Sequence, residues 1–195
     1  EVDRNKLDTL SETKHHQGVI AFVAPIEYKD VDYILNVAKE RGEEPFILIA
    51  DEIEDPHNLG ALIRSAEVAG CHGVIIPKRR AVAVTEVVSK VSVGATEYMP
   101  IARVNNINDT IRELKDKGVW IVGTDGSADT IYYKQDLTGP IAIVVGSEGR
   151  GMNKLTMKNC DFLVKIPMMG KITSLNASVS GGIVLFEALK QRLEK

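Results

Sequence analysis

The 195-residue chain has only two cysteines, no apolar run approaching bilayer length and no strong charge of either sign. Each shortage removes a class of function. Cys71 and Cys160 come with no Cys-x-x-Cys pair and no histidines at metal-ligand spacing, so reduced thiols are expected in place of a disulfide framework or a zinc site. The longest apolar stretches, 140–145 and 182–186, fall far short of the roughly 20 residues a helix needs to cross a bilayer. The first residues lack the basic-then-apolar order of a secretory signal. A cytoplasmic protein with no membrane partner and no metal is expected. A formal net charge of −3 gives no global attraction to nucleic acid, so such a partner must be met by local basic patches. The chain starts at Glu1 without an initiator Met, and is expected to begin inside a longer gene product with a domain upstream.

With 44% hydrophobic residues, the chain can bury one good-sized core. Short apolar or β-branched runs at 18–24, 46–50, 74–77, 120–123, 141–146 and 162–167 end at or near Gly or Pro, as buried parallel strands do. Helical patterns lie between them. Asp30 can cap a helix carrying Val31, Ile34, Leu35 and Ala38 that Gly42 ends, and Asn108 can start another through Ile111 and Leu114 to Gly118. Strand alternating with helix implies an α/β domain with a central, mostly parallel sheet and helices on both faces. Residues 1–16, polar and almost without periodicity, read as a linker.

Three glycine- and amide-rich turns, 55–64, 145–152 and 166–178, each follow a strand-like run and lead into a helix-like one. Backbone amides at such turns can hold polar or anionic groups, and glycine lets a ligand approach the main chain, so a nucleotide-like ligand is expected. In the first turn, a helix starting near Asn58 makes an apolar stripe of Leu59, Leu62, Ile63 and Ala66 and leaves Arg64 pointing away from the core. Asn58 and Arg64 can then meet a substrate together, or be merely a cap and a solvated helix residue. His57 reads as a turn residue. In the second turn, Gly146-Ser-Glu-Gly-Arg-Gly151 departs from the dinucleotide pattern Gly-x-Gly-x-x-Gly, and Glu148 and Arg150 need solvent or a ligand to satisfy them. In the third, Ser174, Asn176 and Ser178 read as caps or as site residues, while Gly181 and Gly182 inside a helix argue for close approach of another backbone or chain. Met168 and Met169 read as pliable pocket lining.

Taken in order, Asn58-x-Gly60-x-x-x-Arg64, Gly146-x-Glu148-Gly-x-Gly-Met152 and Ile166-Pro-Met-x-Gly170 to Ser174-Leu-Asn-x-Ser178 resemble motifs 1, 2 and 3 of the SpoU/TrmH branch of the SPOUT methyltransferases. His16-Gln17-Gly18, Ile76-Pro-Lys-Arg79 and Trp120-Ile-Val-Gly-Thr124 extend the likeness toward the RlmB group, and it covers nearly everything from His15 onward. That resemblance implies an α/β-knot fold with a deep C-terminal trefoil knot, and S-adenosylmethionine-dependent 2'-O-methylation of a guanosine in 23S ribosomal RNA. Ribose methylation of tRNA is the alternative within the family. It implies cofactor contacts around Gly146, Ile166 and Leu175, with Thr124, Gly126, Met168 and Ser174 close by. It gives Arg64 the activation of the 2'-hydroxyl. A guanidinium is a poor proton acceptor, so Arg64 is expected to orient and stabilise, Asn58 to position the substrate, and Glu148 and Asn176 to complete the pocket. Lys78, Arg79, Arg80 and Arg150 are candidates for RNA phosphates, or lie on an ordinary solvated face. A homodimer through the final helix is implied, with residues 1–15 the linker left from a missing N-terminal RNA-binding domain and 16–195 the methyltransferase domain. A dinucleotide-dependent oxidoreductase lacks its fingerprint here. A non-catalytic ribosome-binding module would tolerate loss of Arg64 and would not bind the methyl donor.

Overall fold

A computed structural model of the protein describes residues 1–11, 16–20 and 26–195. Seven strands, β1 (Phe46–Asp51), β2 (Gly73–Pro77), β3 (Ile101–Val104), β4 (Trp120–Thr124), β5 (Thr130–Ile131), β6 (Ile141–Gly146) and β7 (Phe162–Lys165), form one sheet in the order β3-β2-β1-β6-β4-β7-β5. Every pairing is parallel. Helices α1 (Arg4–Leu10), α2 (Val31–Arg41), α3 (Pro56–Val68), α4 (Glu86–Val91), α5 (Ile107–Asp116), α6 (Lys154–Asn159) and α7 (Ala177–Leu193) complete the described residues, with two short 3-10 turns. No helix among them is long and apolar enough to cross a membrane.

The central strands β1 and β6 are buried along their whole length because the sheet is covered on both faces. Alternate side chains of β1 divide between two cores. Phe46, Leu48 and Ala50 pack with Leu59 and Leu62 of α3 and Val184 and Leu185 of α7, while Ile47 and Ile49 pack with Ile34 of α2 and Ile111 and Leu114 of α5. The chain steps outward from β1 to β3 and then fills the other half of the sheet. The strand order therefore reverses between β1 and β6, and a crevice opens above their carboxyl ends.

Local signals account for most boundaries. Asp30 accepts from the Tyr33 amide at 2.7 Å to start α2, and Gly42 ends it at φ +67°. Helix α5 begins earlier than expected, since Asn106 is its cap, accepting from the Asn108 amide at 2.9 Å. Helix α3 also starts early: Asp55 caps it and Pro56 opens it, which puts Asn58 inside its first turn. Strands β3 and β5 and helix α4 had no expectation, and β7 stops at Lys165, short of Pro167. The expected strand at 18–24 lies mostly outside the described residues, and the described residues 18–20 form no strand. Within the expected linker, Asp3 caps α1, which buries none of its residues; 12–15 lie outside the described residues. Cys71 is buried and Cys160 half-buried, both as free thiols.

At the amino edge of the sheet a polar staple joins distant segments. The Arg192 guanidinium donates to the carbonyls of Glu44, Pro45 and Gly139 and lies 4.6 Å over the Phe46 ring. Beside it, buried His72 accepts the Phe46 amide at Nδ1 (3.0 Å), which leaves the proton on Nε2 to be donated to Glu43 at 2.9 Å. Burial lowers the His72 pKa below its ordinary 6.5, outweighing Glu43, with Arg41 and Arg192 acting in the same direction as burial. Below about pH 6.5 the unfolded chain takes up a proton that the folded chain resists, so stability falls as pH falls. Urea unfolding at about pH 7.5 and about pH 5.5 is expected to show this loss. His72→Asn is expected to be less stable at the higher pH and to lose less on acidification; an unchanged slope would contradict it.

Candidate active site

A cavity of about 280 Å³ opens at the carboxyl ends of β4, β6 and β7. Its walls come from the segment after β4, the loop after β6 and the stretch between β7 and α7. The seven expected cofactor residues, Thr124, Gly126, Gly146, Ile166, Met168, Ser174 and Leu175, all line it. Val145, Val164, Ile166 and Leu175 supply apolar wall, and the carboxylates of Asp125 and Glu148 also face it. A Cβ at Gly126 or Gly149 would meet nothing within 4 Å, so a ligand can come close to the main chain there. At Gly146 the case is opposite: a Cβ would sit 2.2 Å from the Met152 nitrogen and 2.3 Å from the Gly151 carbonyl carbon. The loop folds back over this glycine, closed by paired hydrogen bonds between Ser147 and Gly151 at 3.1 and 2.9 Å.

A second cavity, about 150 Å³, shares Ser147 and Glu148 with the first and is completed by Ile53, Glu54, Asp55, Asn58 and Arg150. Between the two, three expected site residues meet. The Asn176 side-chain amide donates to Asn58 Oδ1 at 2.8 Å and to Glu148 Oε1, which also accepts the Ala177 backbone N–H at 3.3 Å. Asn176 Oδ1 in turn caps α7, accepting from Ser178 and from the Val179 amide. The amino end of α7 is thus satisfied by residues of the protein itself, with Glu148 as its anion. At the third turn the helix amides are therefore not free for an anionic ligand, and Glu148, expected to need solvent or a ligand, has donors from the protein. Asn58 is not a cap but a buried residue of the cluster.

Arg64 stands apart from this group. It is exposed, lines neither cavity and follows Asn58 by six residues, which on a helix is about 9 Å along the axis and roughly 120° around it. Within the chain, Arg64 and Asn58 are not brought together. Arg150 is exposed at the mouth of the second cavity. Lys78, Arg79 and Arg80 are exposed just past β2, on the same carboxyl edge, with Arg80 3.6 Å from Glu52. His57 is exposed in the first turn of α3. Among the described residues no group of three or more His, Cys, Asp or Glu side chains could hold a metal.

Gly181 is explained within the chain. A Cβ there would lie 2.4 Å from Leu62 Cδ2 and 3.2 Å from Val145 Cγ2, so this glycine seats α7 directly on α3. It does not mark contact with a second chain. Sequence reasoning missed Asp125, Thr173 and Ser180 in the cavity wall and Glu54 and Asp55 in the second. The Asp55-Pro56 pair was a legible helix start.

These features define an α/β protein with two adjoining cavities at the carboxyl edge of a parallel sheet, the smaller of them at its switch point. Residues 45–186 match the SpoU rRNA methylase family, and residues 1–29 match a description of RNA 2'-O ribose methyltransferase substrate binding. The chain is 52% identical over 192 residues to the 23S rRNA (guanosine-2'-O-)-methyltransferase RlmB of Photobacterium profundum, with 97% of this chain and 77% of that one covered. It is 51% identical over 191 residues to a Bacillus subtilis protein carrying the name TrmH family tRNA/rRNA methyltransferase YacO, with 98% and 76% covered. Among solved structures it resembles the SpoU methyltransferase AviRb of Streptomyces viridochromogenes in complex with AdoMet, at a TM-score of 0.72 and 29% identity, over 78% of this chain and 62% of that one. The chain belongs to the SpoU rRNA methylase family.

Gly146→Ala forces backbone against backbone, so it is expected to destabilise the fold by about 1–3 kcal/mol and to deform the cavity. Thermal unfolding checks the first effect and titration with S-adenosylmethionine the second; wild-type values in both would show that the loop moves aside freely.

Proposed function

We propose that this protein transfers a methyl group from S-adenosylmethionine to a ribose 2'-oxygen of RNA, with a guanosine of 23S ribosomal RNA as target. The observation that carries the reading is that the two cavities adjoin, sharing Ser147 and Glu148, with Asn176 tying Glu148 to Asn58 beside them. The larger cavity suits the cofactor: open glycines admit a ligand to the main chain, apolar side chains can hold a base, and Asp125 and Glu148 complement a cation. When bound, S-adenosylmethionine supplies an activated methyl group on a sulfonium, which leaves the protein to orient, desolvate and stabilise. In the second cavity Asn58, held by Asn176, positions the ribose, and Arg150 at the mouth takes a phosphate. Lys78, Arg79 and Arg80 extend that basic rim. The bacterial relatives support the cytoplasm as the place of the reaction. The guanosine target follows the Photobacterium profundum relative; the Bacillus subtilis relative's tRNA/rRNA name keeps tRNA as the second reading.

The proposal includes a homodimer built on α7. This helix is apolar on two sides: Ala177, Gly181, Val184, Leu185 and Ala188 face the core, while Val179, Phe186 and Leu193, seven residues apart, form an outer stripe 49%, 44% and 78% exposed. A second copy covering that stripe would also lie over α3, which α7 packs against, and would bring its own Arg64 toward this chain's cavities. There the guanidinium would stabilise charge developing on the 2'-oxygen. A trefoil knot, with the segment from 166 to 176 threaded past the loop after β6, is part of the same reading. The match of residues 1–29 to substrate binding supports a role for the first residues in RNA capture.

Arg64→Ala is expected to abolish transfer of tritiated methyl groups to ribosomal RNA and tRNA, followed by mapping of the modified nucleotide, while calorimetry still shows S-adenosylmethionine binding. Loss of cofactor binding would overturn the assignment of Arg64. Binding of NAD instead would overturn the methyltransferase reading. Mixing Arg64→Ala with an inactive Asn176→Ala variant is expected to restore activity in mixed dimers, because one site then receives both native residues; no recovery would place Arg64 in its own chain's site. Phe186→Glu is expected to shift the protein to monomer in sedimentation and to lose activity with it.

A further inference from the structure

One buried carboxylate belongs to neither cavity. Asp51 is the last residue of β1, 3% exposed, paired in register with Gly146 at the end of β6. A charged group in that position is costly unless it is held by donors. Its Oδ2 accepts the backbone N–H of Asn153 at 3.1 Å. Asn153 is the cap of α6, accepting from the Leu155 amide at 2.9 Å, and it directly follows the loop that folds over Gly146. Met152, next to it, is 4% exposed and packs where Gly123 and Gly146 leave room. The upstream end of the loop is fixed by β6 in the sheet. The downstream end is fixed by the Asp51 carboxylate.

We infer that Asp51 is a positioning residue for S-adenosylmethionine binding: its ionised carboxylate holds the 147–152 loop in the shape that walls the cofactor cavity. The inference rests on the cofactor reading given above. It concerns the loop from which Gly149, Gly151 and Glu148 line the larger cavity and Arg150 the smaller, so a slack loop would disturb both. Burial pushes the Asp51 carboxyl above the ordinary carboxylate range, opposed by the Asn153 N–H, and Glu52 pushes it the same way as burial. Just past α6, Cys160 is also close enough to interact with it, a thiol that burial raises to about 12. Protonation of Asp51 weakens a charge-assisted acceptor, so the hold on the loop is present at high pH and is lost as pH falls through the raised pKa.

Calorimetric titration of the whole chain with S-adenosylmethionine tests this. Asp51→Ala is expected to weaken binding by roughly tenfold or more, and Asp51→Asn, which keeps an oxygen acceptor but not its charge, to recover only part of it at about pH 8. As pH falls from about 8 through the raised Asp51 pKa, the wild-type affinity is expected to decline while that of Asp51→Asn stays flat. If the alanine variant fails to fold, the pH profile of the asparagine variant decides. Wild-type affinity in both variants, or a wild-type pH profile in Asp51→Asn, overturns the inference and leaves the cofactor reading standing. Failure of the wild-type protein to bind S-adenosylmethionine at any pH overturns the cofactor reading itself.

Discussion

A single side-chain amide, that of Asn176, uses both its donors and its acceptor to hold three remote parts of the chain in one place. Its nitrogen reaches Asn58 on α3 and Glu148 in the loop after β6, and its oxygen starts α7. The bond to Asn58 is half-buried, and a bond of that kind gains strength from reduced solvent access and is costly when one partner is lost. Both cavities depend on this junction, because Ser147 and Glu148 belong to each. The helix end that would otherwise attract an anion is already neutralised by Glu148, so any ligand meets side chains and glycine backbone instead.

Packing supports the junction from below. Gly181 lets α7 sit on Leu62 and Val145, so the helix that begins at Asn176 is seated on both α3 and the central strand β6. The charge arrangement follows the same geometry. Carboxylates of Glu54, Asp55 and Glu148 line the smaller cavity, whereas Arg150 stands at its mouth and Lys78, Arg79 and Arg80 lie along the same edge of the sheet. Positive charge thus gathers at the rim while acidic groups line the interior.

Long strands were readable because burial on both faces writes itself as an unbroken apolar run, as in β1 and β6. Strand β3, four residues at an edge and carrying Arg103, and the two-residue β5 leave no such mark. Helix α2 announced both ends through Asp30 and Gly42, while α3 misled because Asn58 looked like a cap when Asp55 held that place. The cavity wall was legible through the family resemblance and not through spacing, since three glycine turns of any α/β protein read alike. Two partnerships were out of reach in the sequence: Glu148 with Asn176, and Gly181 with Leu62, each joining residues that only the folded chain makes neighbours. The separation of Arg64 from Asn58 was within reach, because six residues on a helix cannot share a face.

Arg192 sets a condition on synthesis. Its guanidinium ties the end of α7 to carbonyls at 44, 45 and 139, the approaches to β1 and β6. A nascent chain that has emerged only as far as α5 holds β1, β2 and β3 but none of the residues that wall the larger cavity, all of which lie between 124 and 180. The larger cavity therefore takes shape only once the chain through residue 180 has been made, and Arg192, in the final turn of α7, latches the approaches to the central strands.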